Sequence, residues 1–255
     1  MVKDYPATCS FLDKSEKAVI RKIMVQQGTL AKTGEFSRKQ LHRSLLDWRI
    51  WAWSVIGFAG NITANTGPLF APIFTVEMGF GRIAGQGMTA IPNFVSFLVS
   101  FFSGTLAQWA GSNSVLLIYA QIFNIIGLSA VRFVGLCIFN GSSILAVPTA
   151  PGWAVSNQSG TTKTSVAAAM VSAIGAFGGF AASYMYPSKD APRYIPGHVS
   201  NISVCAFVAV ATLAMRITLQ ISNRRRDKDP QDISGLTAEQ VADLGDRHPN
   251  FRYRL

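Results

Sequence analysis

Long runs of uncharged, mostly apolar residues alternate with short polar segments along the middle of the chain. Two long uncharged runs, Phe133–Thr162 and Thr164–Ser188, are separated by a single charge, Lys163. Each run is long enough to cross a bilayer, because about 20 apolar residues rising ~1.5 Å each span the hydrocarbon core. The polar segment between them must lie in water or against protein, since exposed loop backbone is not tolerated in lipid. The pattern therefore predicts a membrane hairpin against which the other helices pack.

The same pattern predicts six spans in all. We expect them at Trp51–Phe70, Ala90–Trp109, Val115–Leu128, Phe133–Trp153, Ser165–Tyr184 and Val199–Ser222. The third is shorter than the lower limit of about 17 residues, so it must recruit the polar residues that flank it. Glycine and proline near the end of the first span make it breakable, and Arg216 in the last is expected to snorkel toward the arginines at 224–226.

The spans divide the chain into three regions. Residues 1–49 are predicted to be a cytoplasmic linker with a short amphipathic helix, residues 50–222 a six-helix transmembrane bundle and residues 223–255 a cytoplasmic tail. A capping-box pattern at Asp13–Glu16 opens the linker helix. That helix fits a position on the membrane surface or the bundle as well as it fits a solvated one.

Charge follows the same division. Of 23 Lys and Arg, ten precede Ile50 and seven follow Ser222, whereas Glu77 and Asp190 are the only acids between those positions. Basic tails on either side of an even number of spans predict that both termini are cytoplasmic. The net charge of +10 does not indicate nucleic-acid binding, because the basic groups lack aromatic interleaving and a recognisable binding motif.

Candidate chemistry is sparse. The chain has no metalloprotease helix, phosphate-binding loop or dinucleotide fingerprint. Its three cysteines, Cys9, Cys137 and Cys205, are too scattered for a disulfide framework or a metal site. We therefore expect a protein that is not an enzyme and holds no metal or cofactor.

Two features of the spans bear on function. Asn61 and Asn65 are four residues apart and share one helix face, which fits hydrogen bonding between helices or the lining of a pathway. A strip of small residues in the fifth span, including Gly175 and Gly179, predicts close helix packing. No ionisable residue stands at mid-membrane, where such groups usually mark proton or ion pathways.

Several motifs occur together in one order and resemble the C-terminal half of fungal major facilitator transporters of the anion:cation symporter type. That group includes allantoate, nicotinate and pantothenate permeases. The residues that carry the resemblance are Pro151-Gly-Trp153, Ser156-Asn157-Gln-Ser-Gly160, Asp190-Ala-Pro-Arg193-Tyr194, Gly197-His198, Asn223-Arg-Arg-Arg-Asp227 and Pro249-Asn-Phe-Arg-Tyr253.

The resemblance implies an all-α membrane protein that is one half of a major facilitator fold, built as two inverted three-helix units. It also implies secondary transport of a small organic anion, carboxylate- or vitamin-like, coupled to protons across the plasma membrane. Asn61, Asn65 and Asn157 are the candidate residues of the substrate pathway. The expected partners are the lipid bilayer, the organic anion, and a missing N-terminal half or a further copy of the chain.

Two alternatives stay open. One is a non-transporting half that is inert or assembles with other membrane proteins. The other is a six-helix channel, which the absence of charge rings and carbonyl filters disfavours. Substrate in this fold binds between two halves, so we expect that the chain alone does not transport.

Overall fold

Helix is the only regular secondary structure in the part of the chain that the computed structural model describes. The described residues are 13, 15–16, 18–19, 38–129, 132–191, 193–228, 246, 249 and 251–255. The predicted all-α class is confirmed for these residues.

The described helices follow one another with short connections. They are α1 (Arg38–Leu45), α2 (Trp48–Glu77), α3 (Arg82–Met88), α4 (Ala90–Phe101), α5 (Ser103–Trp109), α6 (Asn113–Ser129), α7 (Arg132–Ser143), α8 (Ala146–Ser156), α9 (Thr161–Ser183) and α10 (Ile195–Lys228), with a 3₁₀ turn at Ser188–Asp190.

The linker and tail lie mostly outside the described residues. Within the linker, the backbone N–H of Asp13 donates to the Glu16 carboxylate at 3.0 Å, as expected of the predicted capping box. Residues 15–16 and 18–19 are helical and exposed. The rest of the predicted amphipathic helix, and Cys9, are not described.

The first predicted span is longer than expected. Asp47 caps α2, because its carboxylate accepts a hydrogen bond from the backbone N–H of Arg49 at 3.1 Å. The helix then runs for 30 residues, about 45 Å, through Pro68 and Pro72 without a break. Phe70 and Ala71 between the prolines are buried, so packing holds the helix together where the sequence predicted a breakable turn.

The second predicted span is broken rather than continuous. The segments Arg82–Phe101 and Ser103–Trp109 meet at an angle of 53°. Phe102 leaves the helical conformation at the junction, with φ −88° and ψ 4°. Gly104 follows it, and glycine is a weak helix former. The fourth predicted span has a two-residue interruption at residues 144–145, between α7 and α8, but continues as one segment, Phe133–Ser156. The third recruits the polar residues Asn113, Ser114 and Ser129, as its length required.

Three of the described helical segments are long and apolar enough to cross a membrane, namely Phe133–Ser156, Thr162–Ser183 and Ile195–Lys228. The bent pair that ends at Trp109 would be a fourth. α2 is not among them, and α6, at 17 residues, is a shorter apolar helix. The count of six spans therefore stays a proposal.

The core lies around α2, which packs against α7, α8, α9 and α10. Trp53 of α2 meets Trp153 of α8 edge-to-face, with ring centroids 5.8 Å apart, and both are fully buried. Val171, Val208 and Leu219 complete this cluster from α9 and α10. The rings of α4 point the other way, and Phe94, Phe97 and Phe101 are exposed.

Arg216 lies elsewhere than predicted. Instead of extending toward the arginines at 224–226, its guanidinium donates to the hydroxyls of Ser112 and Ser114, both at 2.7 Å. Ser112 lies in the turn between α5 and α6 and Ser114 in the first turn of α6, so the contact ties this junction to α10. Hydroxyl partners within reach satisfy the charge better than three further cations would.

Candidate functional site

The α2–α9 interface is a place where two helices approach closely. A Cβ added at Gly178 would overlap the carbonyl oxygen of Phe58, and one at Gly175 would stand 2.9 Å from the amide nitrogen of Asn61. At Gly178 the obstructing atoms belong to the backbone, so only glycine fits, whereas a methyl group at Gly175 would require the end of the Asn61 side chain to shift. The predicted close packing of the small-residue strip is confirmed, but the tight contacts are at Gly175 and Gly178. A Cβ at Gly179 would make an ordinary contact, 3.6 Å from the side chain of Asn65.

Asn61 and Asn65 lie half-buried on the edge of this interface. Their amide nitrogens donate to backbone carbonyls of α2 itself, Asn61 to Gly57 at 2.9 Å and Asn65 to Asn61 at 2.8 Å. Among the described residues, neither side-chain oxygen accepts a hydrogen bond. The interhelical hydrogen bonds that the sequence allowed are therefore not formed.

Asn157 is placed differently. It is fully buried at the end of α8, where its amide nitrogen donates to the carbonyls of Trp153 at 2.9 Å and Arg254 at 3.0 Å. Its side-chain oxygen accepts from the backbone N–H of Arg254 at 2.7 Å. Trp53, which contacts Trp153, precedes Asn61 on α2 by about two turns. The structure thus brings Asn61 and Asn65 together and places Asn157 with the C-terminal residues.

A buried amide cluster between α6 and α7 was not predicted. The Ser142 hydroxyl donates to the side-chain oxygen of Asn124 at 2.6 Å, and Asn124 donates to Gln121 at 3.3 Å. Asn140 nearby fills the space left by the missing side chain of Gly67, and within the described residues neither of its amide atoms finds a partner. The spacing of Gln121 and Asn124, three residues apart on one helix, was the available signal.

An aromatic cluster joins α2 to the connection between α9 and α10. Phe70 and Phe74 of α2 pack on Tyr186, and the Tyr186 hydroxyl lies 3.2 Å from Nδ1 of His198. Burial raises the pKa of Tyr186 to about 12, so the phenol keeps its proton at physiological pH. Tyr194 completes the cluster with φ 43°, a conformation that costs free energy for any residue but glycine.

The cluster explains part of a motif noted in the sequence. Tyr194 ends the stretch that begins at Asp190, and the ring of Tyr186 occupies the space beside Gly197, where a Cβ would overlap it. No group of three or more His, Cys, Asp or Glu side chains within the described residues is arranged to hold a metal ion.

Comparison with known proteins gives these features a context. The chain is 26% identical over 258 residues to the MFS transporter prlL of a fungal species (strain NRRL 50135), covering 91% of this chain and 50% of that protein. The chain is a homologue of fungal major facilitator transporters. It is also 23% identical to the major facilitator-type transporter hxnP of Emericella nidulans, over 82% of this chain and 45% of that one.

A third relative of this transporter homologue is the high-affinity nicotinic acid transporter of Saccharomyces cerevisiae, 23% identical over 95% of this chain and 47% of that protein. The chain spans about half the length of the curated relatives it matches. No family model and no solved structure matches it.

These relatives confirm the predicted resemblance. With the apolar helices, they identify the chain as a membrane protein related to transporters rather than to enzymes.

Proposed function

We propose that the chain is the C-terminal half of a secondary transporter for a small organic anion. The half has six spans, arranged as two inverted three-helix units, with α2 and α9 forming one wall of the substrate pathway. The observation that carries the proposal is the half-exposed pair Asn61 and Asn65 beside a glycine-lined interface, in a chain half as long as its transporter relatives.

The chemistry of the wall suits a carboxylate. An amide group has two N–H donors, and each asparagine uses one on its own helix. The second can donate to a carboxylate oxygen, and hydrogen bonds to a charged group are stronger than those between neutral groups. A relative named as a nicotinic acid transporter makes an aromatic carboxylate the first substrate to test. Proton coupling would use groups supplied by the other half.

A chimera tests the proposal. The C-terminal half of the Saccharomyces nicotinic acid transporter is replaced by this chain, and nicotinate uptake is measured in cells that lack their own transporter. We expect uptake by the chimera and none by the 255-residue chain alone. Asn65→Leu should reduce uptake at least about tenfold, the loss expected for a hydrogen bond to a charged group. Asn93→Leu, the same change at an exposed position on α4, should leave uptake unchanged.

Two outcomes would contradict the proposal at different points. Saturable uptake by the chain alone would show that one half suffices, for instance as a dimer. If Asn65→Leu leaves uptake by the chimera unchanged, the α2–α9 wall does not line the substrate pathway. A chimera that reaches the membrane and never transports would favour the non-transporting half.

A further inference from the structure

The last five residues of the chain, 251–255, lie across the ends of several helices and are called the C-terminal strap here. Two asparagines hold its backbone. The N–H and carbonyl of Tyr253 bond to the side chain of Asn223 on α10, both at 2.9 Å. The N–H and carbonyl of Arg254 bond in the same manner to Asn157, and Trp153 adds a second donor to that carbonyl at 2.9 Å.

The Tyr253 side chain bridges two further helices. Its hydroxyl accepts hydrogen bonds from Arg49 of α2 and, at 3.0 Å, from Arg226 of α10. Both guanidinium groups also lie over its ring, 4.5 and 4.6 Å from the centroid. Because cations are attracted to the ring face, these contacts add to the hydrogen bonds.

One buried cation lies under the strap. Lys163 of α9 is 8% exposed, and its ammonium group is 2.6 Å from the carboxylate of Asp47 and 3.0 Å from both oxygens of Asp246. Asp47 caps α2 and Asp246 belongs to the tail, so the ammonium group joins three distant parts of the chain. Arg226 also donates to the backbone carbonyl of Asp246 at 2.9 Å. Arg49 also lies near Asp246, with its guanidinium 4.0 Å from the carboxylate. Removing Lys163 would take the buried ammonium group from Asp47 and leave Asp246 with only this longer contact.

We propose that the C-terminal strap is a clasp, seated by Lys163, that fixes the start of α2 against the adjoining ends of α8, α9 and α10. Lys163 is its positioning residue, because it alone among the described residues contacts both aspartates at hydrogen-bonding distance. Asn157 serves in the clasp as the docking residue for Arg254. The proposal does not depend on what the chain transports.

Amide hydrogen exchange of the full chain in lipid nanodiscs tests the clasp. The regions compared are the strap, residues 46–56 at the start of α2, and residues 154–163 between α8 and α9. In Lys163→Met, exchange should rise at least about tenfold in all three, the effect of breaking a buried ion pair. Lys189→Met, the same change on an exposed lysine of the α9–α10 connection, should match the parent. Lys163→Arg, which keeps the charge, should recover much of the protection.

Tyr253→Phe provides a second variant that keeps the ring and removes only the hydroxyl. Strap exchange should rise about threefold or more, with a smaller rise at residues 46–56. Unchanged strap exchange in Lys163→Met would overturn the proposal. The proposal would also be overturned if exchange rose in the strap but stayed at the parent's level at the helix ends, since the strap would then be a passive tail. If Lys163→Met fails to assemble, the same two criteria applied to Tyr253→Phe decide.

Discussion

Single glycines decide how near α2 and α9 can come. Gly178 faces backbone atoms of α2, which cannot move aside as a side chain can, whereas Gly179 faces the flexible end of Asn65. Two neighbouring glycines thus differ sharply in what a methyl group would meet. The difference separates a glycine required by packing from one that is only tolerated there.

Gly178→Ala should lower the free energy of unfolding by about 1–3 kcal/mol, because the new methyl group overlaps the Phe58 carbonyl and forces the helices apart. Unfolding in a detergent series, followed by circular dichroism, measures the change. Gly104→Ala is the matched control, since nothing lies within 4 Å of a Cβ at that position. Equal stability of the two variants would contradict the packing described for Gly178.

The sequence indicated which residues of α9 form the small-residue strip better than it indicated which residues of α2 they contact. Gly175 and Gly179 were chosen by their spacing of four, which is the usual signal, but the structure uses Gly178 more closely than Gly179. Asn157 illustrates the larger gap. Its partner, Arg254, is 97 residues away, and nothing in the local pattern indicates that the tail returns to it.

Helices were predicted where apolar runs are long, and their interruptions were missed. The broken span at Phe102 lies within a long uncharged run, where Ser103 and Gly104 were too weak a signal to predict the bend. In the opposite direction, the glycines and Pro68 near the end of the first predicted span indicated a break, yet α2 continues through them. Runs of apolar residues define which segments enter the membrane, whereas bends depend on the neighbours each segment finds.

Arg216→Met should loosen the turn between α5 and α6. The change removes two charge-assisted hydrogen bonds to Ser112 and Ser114, at an expected cost of about 1.5–3 kcal/mol in the local opening free energy. Amide exchange over residues 108–116 measures it. Arg82→Met, on an exposed arginine at the start of α3, serves as control. Parental exchange over the turn in Arg216→Met would show that the contact contributes nothing.

The two ends of the molecule carry most of its charge. Seventeen of the 23 basic residues lie before Ile50 or after Ser222, and Lys163 joins Asp246 of the tail to Asp47, just before α2. Both observations favour a single side of the membrane for the two ends.

Tags at both termini should therefore show the same protease accessibility in sealed vesicles, with both digested when the cytoplasmic face is outward. The reason is that the six proposed spans would return the chain to its starting side and that basic flanks tend to stay cytoplasmic. Permeabilised vesicles control for tag cleavage. Opposite protection of the two tags would rule out an even number of spans.

Helix α2 is held in place by contacts at both of its ends. Lys163 and the strap hold one end, and the rings of Tyr186 and Tyr194 hold the other. Asn61 lies near the middle of α2. A force applied there is therefore resisted at both ends of the helix and does not pivot the helix about one end. The prolines at 68 and 72 each remove a backbone hydrogen-bond donor, so α2 bends most easily near the end that packs on Tyr186 and Tyr194. We therefore expect α2 to bend near Pro68 and Pro72 before it bends at the end held by the C-terminal strap.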